Sequence, residues 1–119
     1  MLVINGENHS AFDVDETLVM WHSNCDPSKK ISITCPYGKN ERLFKPHQNN
    51  IDLLKKFKAR GNTIIVWSSG GFLWAEAVVK ALHLEEYVDF VMTKPVKLVD
   101  DLPSNEIFPV RIYLKDEES

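Results

Sequence analysis

A chain of 119 residues with 44% apolar and 26% charged residues has the composition of one ordinary globular domain. Its two cysteines, Cys25 and Cys35, form no C-x-x-C pair, so nothing indicates a disulfide framework and a reduced compartment is favoured. No apolar run approaches the roughly 20 residues of a membrane helix, and the first residues lack the features of a secretory signal. These properties predict a single cytoplasmic domain over residues 1–119 that does not contact a membrane.

The net charge of −3 is distributed unevenly along the chain. Residues 29–60 contain nine basic and two acidic residues, so this segment carries +7 and the remainder −10. A locally positive surface attracts anionic partners whatever the global charge. Two interpretations stay open, namely a surface that faces an anion and a solvated helix face formed by Lys55, Lys56 and Lys58.

The first half of the chain contains one predicted strand, an insert and one predicted helix. Residues 10–14 are a short buried strand. Alternation over 31–35, a turn and a second extended run over 41–44 predict a β-hairpin inside an insert of about 20–47. The helix spans 50–60, with Asn49 or Asn50 as its cap and Gly61 as its end.

The second half alternates between strands and helices. Residues 63–67 form a continuous apolar strand, and a Ser-Ser-Gly-Gly turn leads into a helix over 72–82. Three further strands are predicted over 90–92, 96–99 and 110–114. Such alternation predicts an α/β fold, a Rossmann-like three-layer sandwich with a mostly parallel five-stranded sheet and a β-hairpin flap.

Polar residues stand at the carboxyl ends of these predicted strands or in the loops after them. In chain order they are Asp13, Asp15, Ser68, Lys94, Asp100 and Asp101. Because the carboxyl ends of parallel strands share one edge of a sheet, we expect these side chains to converge. Carboxylate oxygens suit Mg²⁺, and a lysine with a hydroxyl at a helix N-terminus suits a phosphate. The set predicts phosphoryl transfer to an aspartate.

The same segments resemble, in order, the four signatures of the haloacid dehalogenase-like (HAD) superfamily. The first is Asp-Val-Asp-Glu-Thr at 13–17, and the second is a hydroxyl residue after the apolar strand at 64–67. The third is Lys94 followed by proline, and the fourth is Asp100-Asp101 after a valine. The similarity covers residues 10 to about 103 and is closest in form to small phage and bacterial members. It implies a HAD-like domain with strand order 5-4-1-2-3.

The resemblance implies a Mg²⁺-dependent phosphohydrolase. Asp13 would be the nucleophile that forms an aspartyl-phosphate, and Asp15 would protonate the leaving oxygen and then activate water. An acid at position 15 is typical of the phosphatases and not of the dehalogenases. Mg²⁺ would be held by Asp13, the backbone carbonyl of Asp15 and Asp101, with Asp100 in support. Lys94 would neutralise the phosphoryl group.

Two residue assignments stay open within this resemblance. Thr17, Ser68 and Ser69 are the candidate substrate-binding residues, and Ser68 is favoured over Ser69 because it directly ends the apolar run. Lys97 competes with Lys94, which is favoured because Lys97 falls within the predicted fourth strand.

The insert of about 20–47 is too short for a separate cap domain, so the site would be open. An open site beside a basic segment favours phosphorylated nucleotides or nucleic-acid ends as substrates. The alternative function is a catalytically weak module on the same scaffold that binds phosphate or nucleic acid. The oligomeric state and the physiological substrate are not indicated by the sequence.

Other side chains near the insert allow two interpretations each. Trp21, Phe72 and Trp74 either stack on a substrate ring or pack in the protein. Cysteine and histidine residues in or beside the insert could bind a structural zinc, although their spacing fits no common zinc finger. They are His22, Cys25, Cys35 and His47.

Overall fold

The structure is a computed structural model and describes residues 8–21, 24–38, 40–103 and 112. In chain order its strands are β1 (His9–Asp13), β2 (Val19–Met20), β3 (Ile31–Thr34), β4 (Glu41–Pro46), β5 (Thr63–Ser68) and β6 (Phe90–Thr93). The helices are α1 (Gln48–Ala59) and α2 (Phe72–Ala81), and a single 3-10 turn spans Pro27–Lys29. Neither of the two described α-helices has the length and apolar character needed to cross a membrane.

The first sheet is parallel and has the order β1-β5-β6. Its central strand, β5, is rich in β-branched residues, and Ile64 and Val66 are fully buried. The register places Asp13 opposite Trp67 and Ser68 opposite Thr93. All three strands therefore end at the same edge of the sheet, with polar residues at or just beyond each end.

The second sheet is antiparallel and has the order β2-β4-β3. Strands β3 and β4 form the hairpin that the sequence predicts, and the Cys35 N–H donates to the Asn40 carbonyl at 2.9 Å across its turn. Phe44 on β4 is almost fully buried and lies 5.4 Å, ring to ring, from Trp74 on α2. The hairpin is thus joined to the parallel sheet through the aromatic face of α2.

Both helices are amphipathic and bury their apolar side against this common core. Ile51 and Leu54 of α1 are buried, and Phe57 meets Phe12 of β1 at 5.9 Å between ring centroids. The predicted asparagine cap of α1 is wrong, because the structure uses His47. Its Nδ1 accepts the Asn50 backbone N–H at 3.2 Å, the contact that an asparagine cap would make.

The predicted mostly parallel, five-stranded Rossmann-like sandwich is wrong. The described parallel sheet has three strands, and the other three described strands form a separate antiparallel sheet. Residues 96–99, predicted as a fourth strand, are irregular, with Val96 89% and Val99 100% exposed. A four-residue apolar run that follows a proline and contains a lysine does not by itself secure a place beside another strand. The predicted strand at 110–114 lies outside the described residues, except for Ile112, which is in no strand.

Candidate functional site

Asp13 and Lys94 face each other at the shared edge of the parallel sheet. Asp13 is the last residue of β1, and Lys94 directly follows β6. The Lys94 Nζ lies 3.9 Å from the Asp13 Oδ1, and the two side chains are 43% and 36% exposed. The Lys94 backbone N–H donates to the Ser68 carbonyl at 2.9 Å, which fixes the loop after β6 to the end of β5. A solvent-facing carboxylate and an ammonium group are therefore held side by side.

Asp15 follows in a tight turn that directs its carboxylate into the protein. The turn is closed by the Leu18 N–H, which donates to the Val14 carbonyl at 2.8 Å, and by Glu16, whose φ is 59°. The Asp15 Oδ1 accepts two indole N–H groups, from Trp21 at 2.6 Å and from Trp74 at 3.0 Å. The Asp15 carboxylate is consequently held by neutral donors, whereas that of Asp13 lies beside an ammonium group.

Ser68 is the buried hydroxyl of the site. It is 0% exposed, its Oγ accepts the Gly70 N–H at 3.0 Å, and it lies 3.5 Å from the Asp15 Oδ2. Ser69 is exposed in the turn that follows. Of the two serines that the sequence leaves as alternatives, the structure therefore presents Ser69 to solvent and uses Ser68 to tie Asp15 to the turn.

The turn before α2 already uses several of its backbone donors. The Gly70 N–H donates to the Ser68 hydroxyl, the Gly71 N–H to the Ser68 carbonyl at 3.1 Å, and the Phe72 N–H to the Thr93 Oγ1 at 3.0 Å. A phosphate at this edge would hence depend mainly on side-chain donors. Thr17 is half-buried, and its carbonyl accepts the Asn50 Nδ2 at 2.8 Å, which anchors the turn of Asp15 to α1.

The acidic pair at 100–101 is not brought together with Asp13 and Asp15. Asp100 and Asp101 lie in an exposed irregular segment, and Asp100 accepts the Leu102 N–H at 3.1 Å. That backbone hydrogen bond, followed by a hydrogen bond with the Asp101 side chain, lowers the pKa of Asp100. Lys97 is also exposed in this segment.

The described residues do not assemble the metal site that the resemblance implies. No three carboxylate, imidazole or thiol side chains of residues 8–21, 24–38 and 40–103 lie close enough together to hold a metal ion. Asp13 presents a partly exposed carboxylate at this edge of the sheet, and the Oδ1 of Asp15 accepts two indole N–H groups. The same finding applies to the zinc hypothesis for Cys25, Cys35 and His47, while His22 lies outside the described residues.

An aromatic group encloses Asp15, and sequence reasoning missed its role. Trp21 meets Phe44 edge-on at 4.8 Å and lies 6.0 Å from Trp74, which is 5% exposed. The Arg42 guanidinium stands 5.5 Å above the Trp21 ring. The two tryptophans thus pack within the protein, and Phe72 remains half-exposed. A buried indole N–H needs an acceptor, but Trp74 is 59 residues from Asp15 along the chain, so the sequence does not indicate which acid accepts it.

Comparisons with known proteins identify no relative of this chain. No family model matches it, and neither a curated protein nor a solved structure is detectably similar.

Proposed function

We propose that the chain hydrolyses phosphate monoesters through an aspartyl-phosphate on Asp13. The observation that carries this proposal is the pairing of the partly exposed Asp13 carboxylate with the Lys94 ammonium, 3.9 Å apart, beside the Asp15 carboxylate that two indole N–H groups hold. A carboxylate that is open to solvent can reach phosphorus as the nucleophile, and a second carboxylate held in place beside it can act as the acid–base group. The HAD-like motifs supply the second line of support.

In the first step an oxygen of the Asp13 carboxylate attacks phosphorus. The new Oδ–P bond forms as the bond between phosphorus and the leaving oxygen breaks, and Asp15 in its acid form donates a proton to that oxygen. Lys94 offsets the negative charge that Asp13 and the phosphoryl oxygens bring together. The exposed hydroxyl of Ser69 is the side-chain donor available to a phosphoryl oxygen from the turn after β5.

In the second step water resolves the intermediate. The Asp15 carboxylate takes a proton from water as the water oxygen attacks phosphorus, and the Oδ–P bond breaks to release inorganic phosphate and the free Asp13 carboxylate. Asp15 is then protonated again and ready for the next cycle, so the net reaction is monoester plus water to alcohol plus phosphate. Each group ends the cycle in the state in which it began.

A requirement for Mg²⁺ is part of the proposal, although no step above depends on it. The three-carboxylate set is not assembled among the described residues, but Mg²⁺ commonly binds through one or two carboxylates, water and substrate phosphates. Asp13 is the protein ligand available for such binding, and the ion would supply positive charge to the phosphoryl oxygens.

For the substrate we propose a phosphorylated nucleotide or nucleic-acid end. The support is the excess of basic residues over 29–60 and the absence of a cap-sized insert, which leaves Asp13 accessible. Arg42 of the hairpin is linked to the site through its contact with Trp21.

The decisive experiment compares wild type with Asp13→Asn and with Asp52→Asn on an aryl phosphate, in Mg²⁺ and in EDTA. Asp52 is an exposed residue of α1 whose carboxylate accepts a hydrogen bond from the Gln48 side chain. The Asp52→Asn substitution is therefore the matched control for the loss of one negative charge. We expect Asp13→Asn to lower kcat by at least about 10³-fold and Asp52→Asn to leave it unchanged. Activity that survives in Asp13→Asn would refute the assigned nucleophile.

A folded wild type with no turnover, on aryl phosphates or on phosphorylated oligonucleotides, would favour the other function. In that case a phosphate- or nucleic-acid-binding module on the same residues is tested by titration with the oligonucleotide. Retained activity in EDTA would remove the metal from the proposal and leave the Asp13 chemistry in place.

A further inference from the structure

Two tryptophans from different parts of the chain converge on one oxygen of Asp15. Trp21 follows β2 at the entry to the insert, and Trp74 lies in the first turn of α2. Their indole N–H groups donate to the same atom, Oδ1, at 2.6 Å and 3.0 Å. The second oxygen, Oδ2, has no indole donor among the described residues and accepts a long hydrogen bond, 3.5 Å, from the Ser68 hydroxyl.

This arrangement makes the two oxygens of Asp15 chemically different. An indole N–H donates and cannot accept, so an oxygen that receives two of them has both lone pairs engaged. A proton on Oδ1 would have to displace one of these donors. The acid form of Asp15 therefore carries its proton on Oδ2.

We propose that Trp21 and Trp74 are positioning residues that reserve Oδ2 of Asp15 for proton transfer. This inference rests on the proposed phosphohydrolase function and deepens it. As the bond between phosphorus and the leaving oxygen breaks, the Oδ2–H bond breaks and its proton passes to that oxygen, while Oδ1 keeps both indole hydrogen bonds. In the second half-reaction Oδ2 takes the proton of the attacking water.

The N–H groups can be separated from the packing of the rings. Trp21 and Trp74 contact each other and Phe44 through their ring systems, with centroids 4.8 to 6.0 Å apart. A Trp→Phe substitution keeps an aromatic ring and removes the N–H donor. The variants Trp21→Phe and Trp74→Phe therefore test hydrogen bonding to Asp15 with part of the packing retained.

The test uses two substrates that differ in their need for a general acid. An alkyl phosphate has a strongly basic leaving oxygen that must be protonated, whereas 4-nitrophenolate leaves readily without a proton. We expect the double variant to lower the ratio of kcat/KM for the alkyl ester to that for 4-nitrophenyl phosphate by about 10-fold or more. Asp15→Asn should lower the ratio at least as far, and adding the Trp→Phe changes to it should lower the ratio no further.

Phe44→Leu is the matched control, because it disturbs the packing of both indoles and removes no donor. It should reduce both activities together and leave their ratio unchanged. A ratio that falls in Phe44→Leu as much as in the double variant would mean that the tryptophans act only through packing, and the inference would be overturned.

A second measurement does not depend on turnover. In an amide and indole ¹H–¹⁵N spectrum, Asp15→Asn should shift the Nε1–H resonances of both Trp21 and Trp74 and leave that of Trp67 in place. Unmoved resonances would show that the indoles do not bind Asp15 and would end the proposal. A wild type that is inactive on both esters would remove the proposed function together with this role. Activity that is lost in Asp13→Asn, together with an unchanged ratio in the double Trp→Phe variant, would remove this role alone.

Discussion

At the scale of single residues, Gly71 allows the hairpin turn to pack against the start of α2. It caps α2 with a φ of 104°, and a Cβ at this position would collide with the Tyr37 hydroxyl. Gly61 has a similar φ of 90° but open space around it. Alanine at position 61 should lower the free energy of unfolding by about 1–3 kcal/mol through backbone strain. Alanine at position 71 should lower it by at least about 1 kcal/mol more, because of the added collision.

Urea unfolding of these variants in a Tyr37→Ala background tests the contact itself. With the phenol removed, the difference between Gly71→Ala and Gly61→Ala should disappear. A difference that persists without Tyr37 would mean that the hairpin turn does not rest on the start of α2.

At the scale of elements, Asp89 links α1 to the central strand of the parallel sheet, β5, one residue before β6 begins. Its carboxylate accepts the Lys58 Nζ at 2.8 Å and the Ile64 N–H at 2.8 Å, and its own N–H donates to the Ile64 carbonyl. The hydrogen bond from Lys58, followed by that from Ile64, lowers the pKa of Asp89 below its ordinary value of 3.8. A carboxylate with a lowered pKa stabilises the fold at pH values above its unfolded pKa, and this contribution is lost as the pH falls through the folded pKa.

Asp89→Asn should therefore reduce the free energy of unfolding by about 1 kcal/mol at pH 7, a modest value because the pair is partly exposed. The difference from wild type should shrink as the pH falls below about 4. Glu76→Gln, which breaks the exposed pair of Glu76 with Lys80, is the control and should change stability by less than about 0.5 kcal/mol. A loss in Asp89→Asn that is the same at pH 3 and pH 7 would contradict the charge-based explanation.

The elements that the sequence predicts well are those whose burial is decided locally. The strand at 63–67, the helices and the hairpin carry apolar patterns of the right period, and each has a neighbour to cover it. Residues 96–99 carry an apolar pattern interrupted by Lys97 and remain exposed, because a strand also needs an available partner. The sequence of a four-residue run does not show whether a partner strand is available.

The residues of the candidate site also fall into those that the sequence could place and those that it could not. Asp13, Ser68 and Lys94 could be placed at one edge because each ends or follows a parallel strand. Asp100 and Asp101 were placed there only through the predicted fourth strand, so they are lost with it. The indole donors to Asp15 come from Trp21, which directly follows β2, and from Trp74 of α2, and their convergence depends on how these elements pack. Spacing along the chain carries no record of that packing.

At the scale of the whole molecule, the uneven charge should appear as a salt-dependent preference for large anionic substrates. Arg42 and Arg60 are both exposed members of the basic segment, but Arg42 lies on β4 above Trp21 and Arg60 at the far end of α1. If the hairpin guides a phosphorylated oligonucleotide to Asp13, the two arginines differ in effect although their charge is the same.

Arg42→Gln should lower kcat/KM for a phosphorylated oligonucleotide by about 2–5-fold at low salt. It should also make the negative slope of log kcat/KM against the logarithm of the salt concentration shallower by about 1. Arg60→Gln should change neither quantity, and both variants should retain wild-type activity on a small aryl phosphate, which makes no contact along the hairpin. Equal effects of the two substitutions would show that overall charge alone attracts the substrate. If Arg42→Gln lowered kcat/KM on the aryl phosphate as much as on the oligonucleotide, Arg42 would act by supporting Trp21. A residue that only guides a long anion has no effect on a substrate that is too small to reach that residue.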